Sequence, residues 1–401
     1  MQRTDKRILI IGASVLQLPA ILRAGEMGFY VGVADYNPEA VGIPYADEYF
    51  NVSTIDVEGV TELARSFQPE GIVTLATDMP MRSIAAACSA CGLPGISYET
   101  AIKSTDKAAM IRAFDEYGVE HPWYYVIEAE KEFEKILERV SFPCIMKPTD
   151  NSGSRGVSLA CDREELREAY EYSRRESRGG AVIVEEYLRG PEFSVEVMTI
   201  NGEPHVLQIT DKLTTGAPHF VEMGHSQPTR QCQKNRERIA DLAVRAVKAV
   251  GISCGPAHVE MILTEKGPRM VELGARMGGD CITTHLVPLS TGIDMVGATI
   301  DIATGKEPDI TRKFSKGSAI RYFRAPAGTL TAIDGIEEAR RVPGVQEITI
   351  VKPIGTEITD IGNSVDRLGF VIAQADTAEQ AVRICEEAMN KVRISVEPIP
   401  A

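Results

Sequence analysis

The run Cys144-Ile145-Met146 is apolar and ends at Lys147. Then comes a loop, Asp150-Asn151-Ser152-Gly153-Ser154-Arg155-Gly156. A lysine at the end of a buried strand is stable only beside an anion. Glycines let a backbone approach phosphate oxygens, and amides and serine hydroxyls donate to them. Taken alone, such a loop reads equally well as a turn. Behind a buried lysine it points to a nucleoside triphosphate.

A second pattern points the same way. His258-Val259-Glu260-Met261-Ile262-Leu263 is an apolar strand carrying a carboxylate, and Met270-Val271-Glu272-Leu273 is another. The turn Lys266-Gly267-Pro268 joins them, so a hairpin places Glu260 opposite Glu272 on one face. Two like charges that close repel, and a divalent cation removes the penalty. Two solvated strand glutamates would read the same. Arg276 brings a cation to the same region. Further upstream, Glu185-Glu186-Tyr187-Leu188 ends a strand and Glu192 begins the next. Such a strand end offers free backbone groups to a base edge and a carboxylate to ribose hydroxyls. A charged linker would look alike.

The bulk numbers permit these readings. The chain has 401 residues, enough for two or three domains. Its net charge of -14 disfavours non-specific nucleic-acid or anionic-membrane binding. Eight cysteines are scattered. Cys88 and Cys91 form the one CxxC, within a run of small residues that suits a buried helix face better than metal or redox work. No signal peptide or membrane-length apolar run is evident, which leads to the expectation of a cytoplasmic protein.

Continuous apolar strands alternate with helices over the first hundred residues, which implies a parallel, doubly wound sheet. The strand Ile8–Ile11 ends at Gly12, and Tyr30–Ala34 closes on Asp35. Two glycines of a dinucleotide loop are missing, so Gly12 reads as a tight turn and Asp35 as a strand end. Ser104-Thr105-Asp106-Lys107 opens a helix in which Met110, Phe114 and Tyr117 recur, with Ser104 or Thr105 as cap. Lys107 then stands in the first turn, against the helix dipole, unless an anion lies nearby. Residues 125–190 read as a compact α/β insert, and 316–401 as a further α/β unit.

In order and separation, Lys107, Lys147 with its loop, Glu185 to Glu192, and the Glu260/Glu272 pair resemble the ATP-grasp superfamily. The run Glu272-Leu273-Gly274-Ala275-Arg276-Met277-Gly278-Gly279 is similar to the signature of its L-amino-acid-ligase and carbamoyl-phosphate-synthase-like branch. The resemblance implies an α/β architecture in three parts. A Rossmann-like domain would cover 1–105, an ATP-grasp domain 106–315 with a lid at about 125–190, and a small C-terminal α/β domain 316–401.

It also implies roles. Lys107 and Lys147 would hold phosphates, and the loop Ser152, Gly153, Ser154 to Gly156 would close over them. Glu185, Tyr187 and Leu188 would seat adenine, Glu192 ribose. Glu260 and Glu272 would chelate magnesium, with manganese as a substitute, and Arg276 would stabilise the transferring phosphoryl group. Many relatives carry Asn where this chain has Gly274, so one metal ligand is lost. The stretch Thr214 to Ser226 would border the acceptor, with Glu222 on an ammonium group and His225 on the phosphoryl or carboxylate; His219 reads as structural. The implied activity is ATP-dependent ligation of a small carboxylate to an amine, with a homodimer as the family's suggestion. A bicarbonate-using carboxylating ligase and a non-catalytic nucleotide sensor are the alternatives.

Overall fold

The computed structural model describes residues 6–151, 153 and 155–398. Four parallel strands open the chain, in the spatial order Glu48–Phe50, Tyr30–Ala34, Arg7–Ile11, Gly71–Val73. Ile8 to Ile11 are fully buried, as expected of a strand covered on both faces. Gly12 adopts φ +97°, and the Asp35 carboxylate accepts the Ala13 amide at 2.8 Å. The glycine and the acid therefore hold the first turns of this sheet together. Cys88 packs in the core of the helix Met81–Cys91, and burial pushes its thiol up to about 12.

An eight-stranded antiparallel sheet forms the centre, in the order Gly267–Gly274, Gly255–Thr264, Glu192–Ile200, Glu203–Thr214, Glu222–Gln227, Gly317–Tyr322, Gly369–Ala375, Val345–Ile350. Its last three strands come from the chain's tail, so that segment extends the central sheet while keeping its own apolar cluster. The helix Gln233–Val250 buries Ile239, Leu242, Ala243, Ala246, Val247 and Val250, the i, i+3, i+4, i+7 stripe of an amphipathic helix.

The insert is a second, four-stranded sheet, ordered Tyr124–Ile127, Val182–Glu186, Cys144–Pro148, Ser158–Ala160. Helices Glu130–Leu137 and Arg163–Glu176 contribute Phe133 and Tyr170, stacked at 4.0 Å between ring centroids.

One helix start differs from expectation. Ser104 and Thr105 end a helix, Tyr98–Thr105, and Asp106 caps the next, Lys107–Glu116, by accepting the Ala109 amide at 2.8 Å. Asp accepts an N-terminal amide as well as Ser does and adds a charge that suits the helix dipole.

Candidate active site

The hairpin places Glu260 opposite Glu272, the register expected from the sequence. Both carboxylates border a cavity of about 380 Å³. Each is answered by a lysine. Lys107 Nζ lies 2.9 Å from Glu272 Oε2, and Lys212 Nζ lies 2.6 Å from Glu260 Oε2. The Lys107 ammonium thus finds the anion that its place in a first helical turn required. Lys212 is also 3.4 Å from Glu222 Oε1 and 3.8 Å from Glu192 Oε2. Burial opposes its charge, but Glu260, Glu222 and Glu192 outweigh burial and hold its pKa well above the ordinary value. Burial likewise works against the carboxylate of Glu260, and Lys212 with His258 pulls its pKa well below the usual range.

His258 links the pair to the sheet interior. Its Nδ1 is 2.7 Å from Glu196 Oε1 and its Nε2 is 3.2 Å from Glu260 Oε1. Burial disfavours the imidazolium, yet Glu196 and Glu260 raise its pKa to about 9. A protonated ring donates to both carboxylates. Glu196 is fully buried, and its Oε2 has no partner among the described residues.

Arg276 grips Asp78 with two bonds of 2.9 Å, from Nε to Oδ1 and from Nη2 to Oδ2. Asp78 follows the strand Gly71–Val73, two residues after Ala76, which holds φ +57°. This ion pair gives a steric account of Gly274. A Cβ there would stand 2.5 Å from Asp78 Oδ1 and 2.9 Å from Arg276 Nε. The space that an asparagine side chain would take is filled by the Asp78–Arg276 pair. Gly278 has a similar cause: its Cβ would meet His258 Nδ1 at 2.5 Å and Glu196 Oε2 at 3.0 Å.

The insert supplies Lys147, whose Nζ is 2.7 Å from Glu185 Oε2, with both side chains buried. Gly156 has φ +77°, and a Cβ there would meet Pro148 Cγ at 2.6 Å, so packing against the strand end demands glycine. Gly153 is exposed with φ +67° and open space around it. Ser152 and Ser154 lie outside the described residues. Tyr187 stands 6.1 Å from Phe220 between ring centroids, and Leu188 is buried. Glu192 and Lys212 border a second cavity of about 230 Å³.

His225 is placed differently from expectation. Its side chain is 1% exposed and does not border the larger cavity. Its Nε2 sits 3.1 Å from Asp280 Oδ2, and Asp280 is gripped by Arg367 through two 2.7 Å bonds. Arg367 also lies over Tyr322, 3.8 Å from the ring centroid, and donates to the Glu222 carbonyl at 3.2 Å. Burial alone would raise the Asp280 pKa; Arg367 and His225 hold it far below the usual range. His225 therefore reaches its surroundings through Asp280, and the tail fastens this side of the site.

Asp78, Glu196, Lys212, His258, Asp280 and Arg367 were not singled out from the sequence. A signal existed for three of them. Glu192, Ser194 and Glu196 alternate on one strand, and His258 and Glu260 face that run across the sheet. Lys212 lies in a similar polar alternation, Gln208, Thr210, Lys212. Nothing local marks Asp78, Asp280 or Arg367.

Residues 140–284 match the model of the ATP-grasp domain, and residues 321–397 match the L-amino acid ligase C-terminal domain 2. An uncharacterized protein, y4rH, of Sinorhizobium fredii is 29% identical over 99% of this chain and 82% of its own length. Alanine–anticapsin ligase of Bacillus subtilis is 24% identical over 74% of this chain and 67% of its own. The crystal structure of an L-amino acid ligase from Bacillus licheniformis superposes with a TM-score of 0.85 at 24% identity, covering 99% of this chain and 100% of the other. The chain thus carries an ATP-grasp domain and an L-amino acid ligase C-terminal domain, and its relatives include carbon–nitrogen ligases.

Proposed function

We propose that the protein uses ATP to join a small carboxylic acid, an amino acid, to an amine, releasing ADP and phosphate. The observation that carries this reading is the Glu260/Glu272 pair in register, each carboxylate held by a lysine beside a cavity that also presents Arg276. Half-buried like charges kept together by amines suit a cation site. The donor set fits magnesium, which takes carboxylate and phosphate oxygens. Bound there by Glu260 and Glu272, the ion would neutralise phosphate charge during transfer.

This chain's own residues do the rest. Lys107 and Lys147 turn from Glu272 and Glu185 to the phosphates of the nucleotide. Tyr187, Leu188 and Glu192 receive the nucleoside. An oxygen of the substrate carboxylate attacks the γ-phosphorus, the bond to the β-phosphate oxygen breaks, and ADP leaves. Arg276 faces the resulting acyl phosphate. The amine nitrogen attacks the acyl carbon, phosphate departs and a proton is lost. Glu222 holds the amine, and the 125–190 insert excludes water as it closes. In this reading residues 1–105 receive the acid, 106–315 hold the nucleotide, and 316–401 close the acceptor side.

The test is ADP and phosphate release with ATP and magnesium across pairs of amino acids and small carboxylates, with Glu272→Ala as the blank. Release that depends on one pair and vanishes in the blank is the expected result. ATP binding without release from any pair, bicarbonate included, would reject catalysis.

A further inference from the structure

The charges around the 380 Å³ cavity do not all cancel. Asp78 is taken by Arg276, Glu272 by Lys107, and Glu260 by Lys212 and His258. Asp150 is also engaged. It accepts the Ser177 hydroxyl at 3.0 Å and the amides of Arg178 and Gly179 at 3.1 and 2.6 Å. Two cavity-lining guanidinium groups remain, on Arg82 and Arg178. Among the described residues neither is paired with a carboxylate. Arg82 Nε donates to Thr105 Oγ1 at 2.9 Å, and Arg178 Nη1 lies 2.5 Å from the Met79 thioether sulfur.

Arg82 stands where a cation is least welcome. It is in the first turn of the helix Met81–Cys91, which begins at Pro80 with no side-chain cap and no acidic residue in that turn. The helix dipole opposes a positive charge there. Lys107 occupies the same unfavourable position in its own helix, and in its case Glu272 answers it. Among the described residues no carboxylate answers Arg82; its one hydrogen-bond acceptor there is the Thr105 hydroxyl. Thr105 nevertheless fixes its guanidinium at the cavity wall, half-buried, where an anionic ligand would meet a pre-oriented fork of donors. Ile55, Val57, Met79 and Tyr98 add apolar side chains to the same cavity lining. The cavity thus presents Glu272 and Arg276, apolar side chains, and a further cation at Arg82.

We propose that Arg82 is a specificity-determining residue that receives a second anionic group on the substrate acid, a carboxylate or a phosphate monoester. The acid is then a short dianion and not a simple apolar amino acid. This assignment rests on the ligase reading above and names its substrate class.

The experiment compares matched acids, glutamate with glutamine, aspartate with asparagine and phosphoserine with serine, each with ATP, magnesium and a pool of amine acceptors. ADP release is measured for the natural protein, Arg82→Met and Arg82→Lys. The natural protein is expected to favour the anionic member in kcat/KM by about tenfold to a hundredfold, the range of a charge-assisted hydrogen bond. Arg82→Met brings that ratio close to one, and Arg82→Lys keeps part of it. The arm that responds, carboxylate or phosphate, identifies the group. A natural protein that uses neutral acids equally well overturns the proposal. So does an Arg82→Met that lowers both members of a pair alike, because Arg82 would then only brace Thr105. If no acid releases ADP, the ligase reading fails separately. Calorimetric binding of the same acids to the ATP-loaded protein then decides the point. A preference for dianions that Arg82→Met abolishes upholds the assignment, and no preference ends it.

Discussion

Arg367→Met removes the cation that holds Asp280, and the structure sets the size of the effect. Both Arg367–Asp280 bonds are 2.7 Å, and the two side chains are 11% and 24% exposed. Removing one partner of such a pair leaves a buried charge uncompensated, at a cost of about 3–5 kcal/mol. For a chain of 401 residues that corresponds to a fall in melting temperature of roughly 4–6 °C. The pH dependence gives a sharper test. Burial alone would raise the Asp280 pKa, but Arg367 and His225 depress it. A depressed carboxylate contributes stability above its unfolded pKa of about 4 and loses it as pH falls toward the folded value. In the variant, burial acts on Asp280 with only His225 to oppose it, so the carboxyl takes up a proton at higher pH. The gap between the two proteins is therefore widest at neutral pH and narrows toward pH ~4. Calorimetric melts from neutral to acid pH measure it. The double variant Asp280→Asn/Arg367→Met should recover part of the loss, because no lone charge remains. A gap of equal size at every pH, or none, would refute the account of Asp280 as a buried, arginine-held carboxylate.

Further predictions concern the site itself. Gly278→Ala puts a Cβ 2.5 Å from His258 Nδ1, so it should destabilise the protein by about 1–3 kcal/mol in denaturant titration. Glu222→Gln leaves Lys212 with Glu260 and Glu192 but weakens the hold on an ammonium group. Its expected effect is a raised KM for the amine with a smaller change in kcat, and unchanged kinetics would remove Glu222 from the acceptor side.

Much of the frame can be read from the chain. Alternation of apolar strands with helices marked the parallel sheet at the start of the chain, and the hairpin that carries Glu260 and Glu272 was legible from its turn, while a bulge between Glu260 and Met261 brings the two carboxylates opposite each other. These are local properties, set by side-chain period and turn chemistry within some fifteen residues. The helix cap was misplaced by one or two residues, because Ser104, Thr105 and Asp106 are all good caps and it is Asp106 that accepts the Ala109 amide.

The sequence by itself determined the residue types, the strand registers near the turn, and the lysines and glutamates that suit a nucleotide and a cation. The tertiary structure alone decided how their charges are answered. Asp78 lies 198 residues from Arg276, and Arg367 lies 87 from Asp280. No periodicity spans such distances. These pairs exist because separate layers meet at one cavity, where burial makes an unpaired charge costly enough to fix its partner.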